Sequence, residues 1–114
     1  MALPEFTKKM VEVKLARYCA EKIPDHARHQ IRIAFKIRGN SVTLFEERPY
    51  YQDNSIWTSM PIANFRFDPN TTKWTLYCAD RNSKWFLYMD IDSKENFDDL
   101  LSEVDRDPTG IFWG

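Results

Sequence analysis

Glycine is scarce in this chain: Gly39, Gly110 and Gly114 are the only three in 114 residues. Phosphate-cradling loops need glycine where backbone must approach the ligand, so a P-loop and a dinucleotide fingerprint are both excluded. Histidine is scarcer still. His26 and His29 stand alone, with no cysteine near them in sequence, and read as a solvated pair rather than metal ligands. The two cysteines, Cys19 and Cys78, fall inside expected regular elements. Both are expected as free, buried thiols in a reduced, cytoplasmic protein. Nothing in sequence activates Cys19, which argues against a dyad with His26, and no G-x-S-x-G elbow occurs. No apolar run approaches the length of a membrane span. The opening MALPEFTKKM lacks an apolar h-region, so no signal peptide is expected. An excess of charge is missing too. Sixteen Lys and Arg against 17 Asp and Glu leave a net charge of −1. That removes the simplest argument for nucleic-acid binding, although a local basic patch is still open.

What is present is patterned apolar sequence. Hydrophobic residues make up 43% and charged residues 29%, the balance of an ordinary globular protein. The length suits one domain, taken as residues 1–114, able to bury a core without staples. From Arg28 to Pro49, Ile31, Ile33, Phe35 and Ile37 alternate with polar or small residues, the signature of a half-buried strand. Gly39-Asn40 then suits a II′ hairpin turn. That turn sets Ile37 opposite Val42, Phe35 opposite Leu44 and Ile33 opposite Glu46.

The other elements follow by the same logic. A helix is expected from Glu5 to Lys22, bounded by Pro4 and Pro24. Its apolar residues spread widely around the wheel, so it is expected to be covered on more than one side. After Pro49 the stretch YYQDNSIWTSM has no clear period and reads as a long loop, pinned by Ile56 and Trp57. A three-stranded meander follows, in which Phe67 faces Trp74, Phe65 faces Leu76 and Ala63 faces Cys78. Setting Ala79 against Lys84 places Trp85, Leu87 and Met89 on that same apolar face. A second helix is expected from about Asp92-Ser93, with Asp92 and Glu95 at capping-box spacing. Phe97, Leu100, Leu101 and Val104 form its apolar stripe, and Asp107-Pro108 ends it. The tail TGIFWG is too apolar to leave in water and is expected to dock. The fold class is therefore α+β. An N-terminal helix, an antiparallel hairpin and a three-stranded meander are followed by a C-terminal helix on the same apolar sheet face. How the hairpin joins the meander, and whether one five-stranded sheet results, is left open.

Several segments carry a family resemblance. LFEERP, the run WTLYCADRNSKWFLY and the ending DRDPTGIFWG resemble a bacterial domain-of-unknown-function family, number 3024. The resemblance covers most of the chain. It implies a small bacterial protein with no assigned activity, and supplies no catalytic residue.

Candidate sites are few. Glu46-Glu47, Asp98-Asp99 and Asp105/Asp107 read as solvated charges, those of the helix start favoured by its dipole. Glu46 and Arg48 fall on the apolar face near a strand end, as a salt bridge or a ligand contact. The other sheet face is the main lead. Arg66, Tyr77, Phe86 and Tyr88 are expected to cluster there, with Arg32, Lys36, Arg38 and Phe45 on the matching face of the first hairpin. Aromatics interleaved with Arg and Lys can stack unpaired bases and hold phosphates. The competing reading has the long loop or the IFW tail covering that face. No cofactor and no metal is called for. The leading function is a non-catalytic interaction module with a protein partner, acting through the long loop or a sheet edge. The alternatives are a single-stranded nucleic-acid-binding sheet and a small enzyme of unrecognised type.

Overall fold

The computed structural model describes residues 2–113. Helix α1 spans Glu5–Lys22, the expected bounds. Pro4 opens it at no cost, because the first turn leaves its N–H groups unpaired in any case. Val11 and Leu15 are its fully buried residues, while Phe6 and Val13 stay in water. Among the described residues the helix is covered on one side only, so its broad apolar stripe was a poor guide to burial.

After a 3₁₀ turn at Asp25–Ala27, strands β1 (Arg32–Arg38) and β2 (Ser41–Tyr50) form the expected hairpin. Ile37 pairs with Val42, Phe35 with Leu44 and Ile33 with Glu46. Gly39 has φ 60° while Asn40 has no positive φ, as a II′ turn requires.

The long loop expected after Pro49 is instead strand. β3 runs from Asp53 to Asp68 and pairs with β2 along its length. Its first half has both faces in water, so it carries no alternation of apolar and polar residues. The pattern that betrays a half-buried strand was absent because there is no buried half. Near Leu44/Phe45 the register shifts, leaving Ile62 as an extra residue on β3. This bulge lets Ile62 and its neighbour Ala63 both bury.

β4 (Lys73–Ala79) takes the expected register, with Phe67 opposite Trp74, Phe65 opposite Leu76 and Ala63 opposite Cys78. β5 (Trp85–Leu87) does not. Ala79 pairs with Trp85 and Cys78 with Phe86, one residue away from the expected pairing. The cause is the turn. Asp80 N–H donates to the Lys84 carbonyl at 2.9 Å, and the Asp80 carboxylate accepts from Asn82 and Lys84 N–H at 2.8 and 2.9 Å. Ser83 takes φ 62°, giving a three-residue loop with a left-handed residue at its end. One residue of slip turns every following side chain over. Trp85 and Leu87 leave the core face, and Met89 is exposed in the turn beyond.

The sheet is one five-stranded antiparallel meander, order β1-β2-β3-β4-β5. Helix α2 spans Phe97–Arg106 and is capped by Asn96, whose side chain accepts from Asp98 N–H at 3.0 Å. Its start is thus four residues beyond the Asp92 expected as cap. The intervening chain instead completes the sheet edge, where Trp74 and Lys94 exchange backbone hydrogen bonds of 2.7 and 2.9 Å. Asp107 ends the helix at φ 44°.

Both helices lie on one sheet face. Lys14 meets Asp98 at 2.6 Å and Lys22 meets Asp105 at 3.2 Å, so α1 and α2 run parallel side by side. Phe97 packs on Phe65 and Trp74 at centroid distances of 4.8 and 5.0 Å. The tail docks on this same layer. Phe112 is buried beside Tyr88 at 5.1 Å, and Trp113 Nε1 donates to the Val104 carbonyl at 3.0 Å. Ile111 remains partly exposed, and Gly114, also expected in the docked tail, lies outside the described residues. Among the described residues no helix is long and apolar enough to cross a membrane.

Candidate functional site

The tail has gone to the core side and the segment expected as a loop is strand, so the outer face of the sheet carries an open hollow. Alternation along the strands places Lys36 and Arg38 of β1, Ser41, Thr43 and Phe45 of β2, and Asn64 and Arg66 of β3 on it. The hollow is about 550 Å³, and Trp85 closes its far wall.

Asn64 organises the floor. It is buried at 2% exposure, and a buried amide must find partners. Its Nδ2 donates to Ser41 Oγ at 2.8 Å and Thr43 Oγ1 at 2.9 Å. Its Oδ1 accepts from Arg66 Nε at 2.8 Å. Arg66 is thereby aimed, and its guanidinium lies 3.9 Å from the Tyr77 ring centroid, a cation–π arrangement. The remaining guanidinium N–H groups have no side-chain acceptor among the described residues.

Charge in the hollow is of one sign. Lys36, Arg38 and Arg66 line it or its rim, and no carboxylate among the described residues does. None of the three forms an ion pair among the described residues. The near-neutral chain has segregated its charge, which composition alone could not reveal. The end of the β2–β3 hairpin runs beyond β1 and β4 as a two-stranded arm, and towards it the face continues with Arg32. It stacks on Trp57 at 3.8 Å and pairs with Glu47 at 3.0 Å.

The four residues expected to cluster are split by the β5 register. Arg66 and Tyr77 meet on the outer face. Phe86 and Tyr88 turn to the core side, where Tyr88 is buried and its hydroxyl donates to Glu103 Oε2 at 2.7 Å. Burial, then the bond to Glu103, pushes the Tyr88 hydroxyl up to about 12. Arg106 closes this buried network with a 2.7 Å contact to Glu103. Trp85 and Asn64 are the outer-face residues that sequence reasoning missed. Trp85 could have been placed by reading Asp80–Ser83 as a three-residue loop. Asn64 carried no signal, since a single Asn in a strand reveals nothing of its hydrogen bonds.

Glu46 and Arg48 do meet, at 3.0 Å. Arg48 is largely in water, so the pair sits at the core edge without enclosing a pocket.

A larger recess of about 670 Å³ lies on the helix layer, between Phe6, Met10 and Val13 of α1 and Leu101 of α2. Phe6 is 83% exposed and Val13 63%. Its rim mixes Lys9 and Arg17 with Glu21 and Asp98, so no single charge or set of polar groups converges there. Burial disfavours the thiolate at both cysteines. Burial pushes Cys19 up to about 11, and burial likewise raises Cys78. Among the described residues no group of His, Cys, Asp and Glu could hold a metal ion.

Residues 3–114 match a family described as a domain of unknown function, DUF3024. The chain belongs to that family. The DUF3024 match spans both helices and all five strands, so the outer face is built entirely within it. No curated protein and no solved structure matches the chain.

Proposed function

We propose that this DUF3024 chain is a non-catalytic binding module whose outer sheet face takes single-stranded nucleic acid. One observation carries the reading. Three cations line an open hollow with aromatic walls at Phe45 and Trp85, and among the described residues they have no ion-pair partner and the hollow no carboxylate. Backbone phosphates supply the matching charge, and every base has a face to stack on an aromatic ring. A duplex is excluded by shape, since its bases are already stacked on each other and would leave the aromatic walls unfilled.

The protein-partner reading drew on the long loop and the sheet edge, and the loop has become a strand. The enzyme reading gains nothing from this face, where no nucleophile and base converge.

The test is fluorescence anisotropy with a labelled 12-mer of single-stranded RNA. Three phosphate contacts give a slope of log K against log salt of about −2, at about −0.7 per contact. Lys36→Glu with Arg38→Glu abolishes binding while leaving the fold intact, as both side chains point into water. Absence of binding at low salt, or binding unchanged in that double variant, overturns the reading.

A further inference from the structure

Four polar side chains on the outer face fix one another's direction. Arg66 Nε can only donate, and it meets Asn64 Oδ1 at 2.8 Å. The Asn64 amide therefore has one orientation, with Nδ2 turned towards Ser41 and Thr43. Its protons go to Ser41 Oγ at 2.8 Å and Thr43 Oγ1 at 2.9 Å. Each hydroxyl accepts from the amide, so its own proton is turned away from Asn64. Neither hydroxyl donates to another side chain among the described residues. Both residues are half-buried and line the hollow. Donors dominate this floor. Two hydroxyl protons join the cationic groups of Lys36, Arg38 and Arg66, against the Asn40 side-chain oxygen and the spare lone pairs of the hydroxyls.

Such a floor suits a group whose outer atoms are all acceptors. Base edges do not qualify, since each carries an N–H donor beside its acceptors. The ribose 2′-hydroxyl donates as well. Phosphate does qualify. An internal phosphodiester carries a single charge, whereas a terminal phosphate monoester carries about −1.5 to −2 at pH 7 and three strong acceptor oxygens. We infer that Ser41, Thr43 and Arg66 bind the terminal phosphate of a nucleic-acid strand. The inference rests on the reading of the outer face as a single-strand site, and adds which part of the strand is held there. Phe45 and Trp85 then stack the bases next to that end, in a manner tolerant of sequence.

Anisotropy at low salt tests it with three forms of one internally labelled single-stranded RNA. They carry a 5′-phosphate, a 3′-phosphate, or hydroxyls at both ends. At least one phosphorylated form is expected to bind tenfold or more tightly than the hydroxyl-ended one, and the two arms tell which end is taken. Thr43→Val is expected to cut that preference to threefold or less. Asn64 Nδ2 there keeps Ser41 Oγ and the Val42 carbonyl, at 2.8 and 3.4 Å, as acceptors, so the fold is retained. Phosphorus NMR on the unmodified protein needs no variant. Donors and cations favour the dianion, so the second ionisation of the bound phosphate is expected to fall from about 6 to about 5.5 or lower. Equal affinity of all three forms overturns the inference and leaves the single-strand reading standing. A preference unchanged in Thr43→Val, or a phosphate that titrates as it does free in solution, overturns it too. Absence of binding by every form overturns the single-strand reading, and this inference with it.

Discussion

Arg66 is held from two sides: its guanidinium lies 3.9 Å above the Tyr77 ring, and its Nε donates to Asn64 at 2.8 Å. A long flexible side chain normally loses rotamer entropy on binding a ligand. Here the protein has already ordered it. Tyr77→Ala is therefore expected to weaken single-stranded RNA binding by about 0.5–1 kcal/mol, the worth of an exposed cation–π contact, with the fold intact. Anisotropy paired with a thermal melt checks this. Equal affinity in the variant would mean that the ordered Arg66 does not touch the ligand.

The two tryptophans of the last hairpin separate sharply. Trp74 is buried against Phe67 and Phe97, so Trp74→Ala is expected to cost about 3–5 kcal/mol. Trp85 lines the outer hollow, and Trp85→Ala is expected to cost about 1 kcal/mol or less. Urea melts of both variants check the β5 register. A reversed order of costs would return Trp85 to the core face.

Asn64 tests the floor of the hollow. Asn64→Leu strands Ser41 and Thr43 hydroxyls and frees Arg66. Loss of about 1–3 kcal/mol of stability is expected, from polar groups left without partners. Denaturant unfolding measures it, and a neutral result would show that water replaces the amide.

Alkaline pH should find Tyr88. Its hydroxyl is raised to about 12 by burial and then by Glu103, against about 10 in the unfolded chain. The unfolded state thus releases its proton first. The stability contribution is full below pH 10 and is lost as pH rises from 10 towards 12, on the order of 2 kcal/mol in all. Tyr18 is raised in the same direction by burial and Asp105 and adds to the slope. Melts of Tyr88→Phe across this range should show a shallower decline. A decline identical to that of the unmodified protein would place Tyr88 in water.

The docked tail should matter to stability. Phe112 packs on Tyr88, and the backbone N–H groups of Phe112 and Trp113 donate to the Asp107 carboxylate at 3.0 and 2.8 Å. Phe112→Ala is expected to cost about 3 kcal/mol. An unchanged melting temperature would mean that the tail is free in solution.

Local pattern decided much of this protein. Wherever a strand buries one face, alternation and turn chemistry act between residues close in sequence. The pairing of β1 with β2 and that of β4 with the second half of β3 were legible for that reason, as were the bounds of α1 and the stripe from Phe97 to Val104. The physical limit shows at the arm. Residues 53–60 are strand because β2 lies beside them, and a ribbon with water on both faces leaves no period of two in its own residues. The limit shows again at Ser83. A single residue adopting φ 62° shortened a turn, and the period of two carried that small choice into Trp85, Phe86 and Tyr88 together. Tertiary structure alone decided which face kept its basic residues uncovered. Composition sums charge over the whole chain, whereas folding sorts it in space.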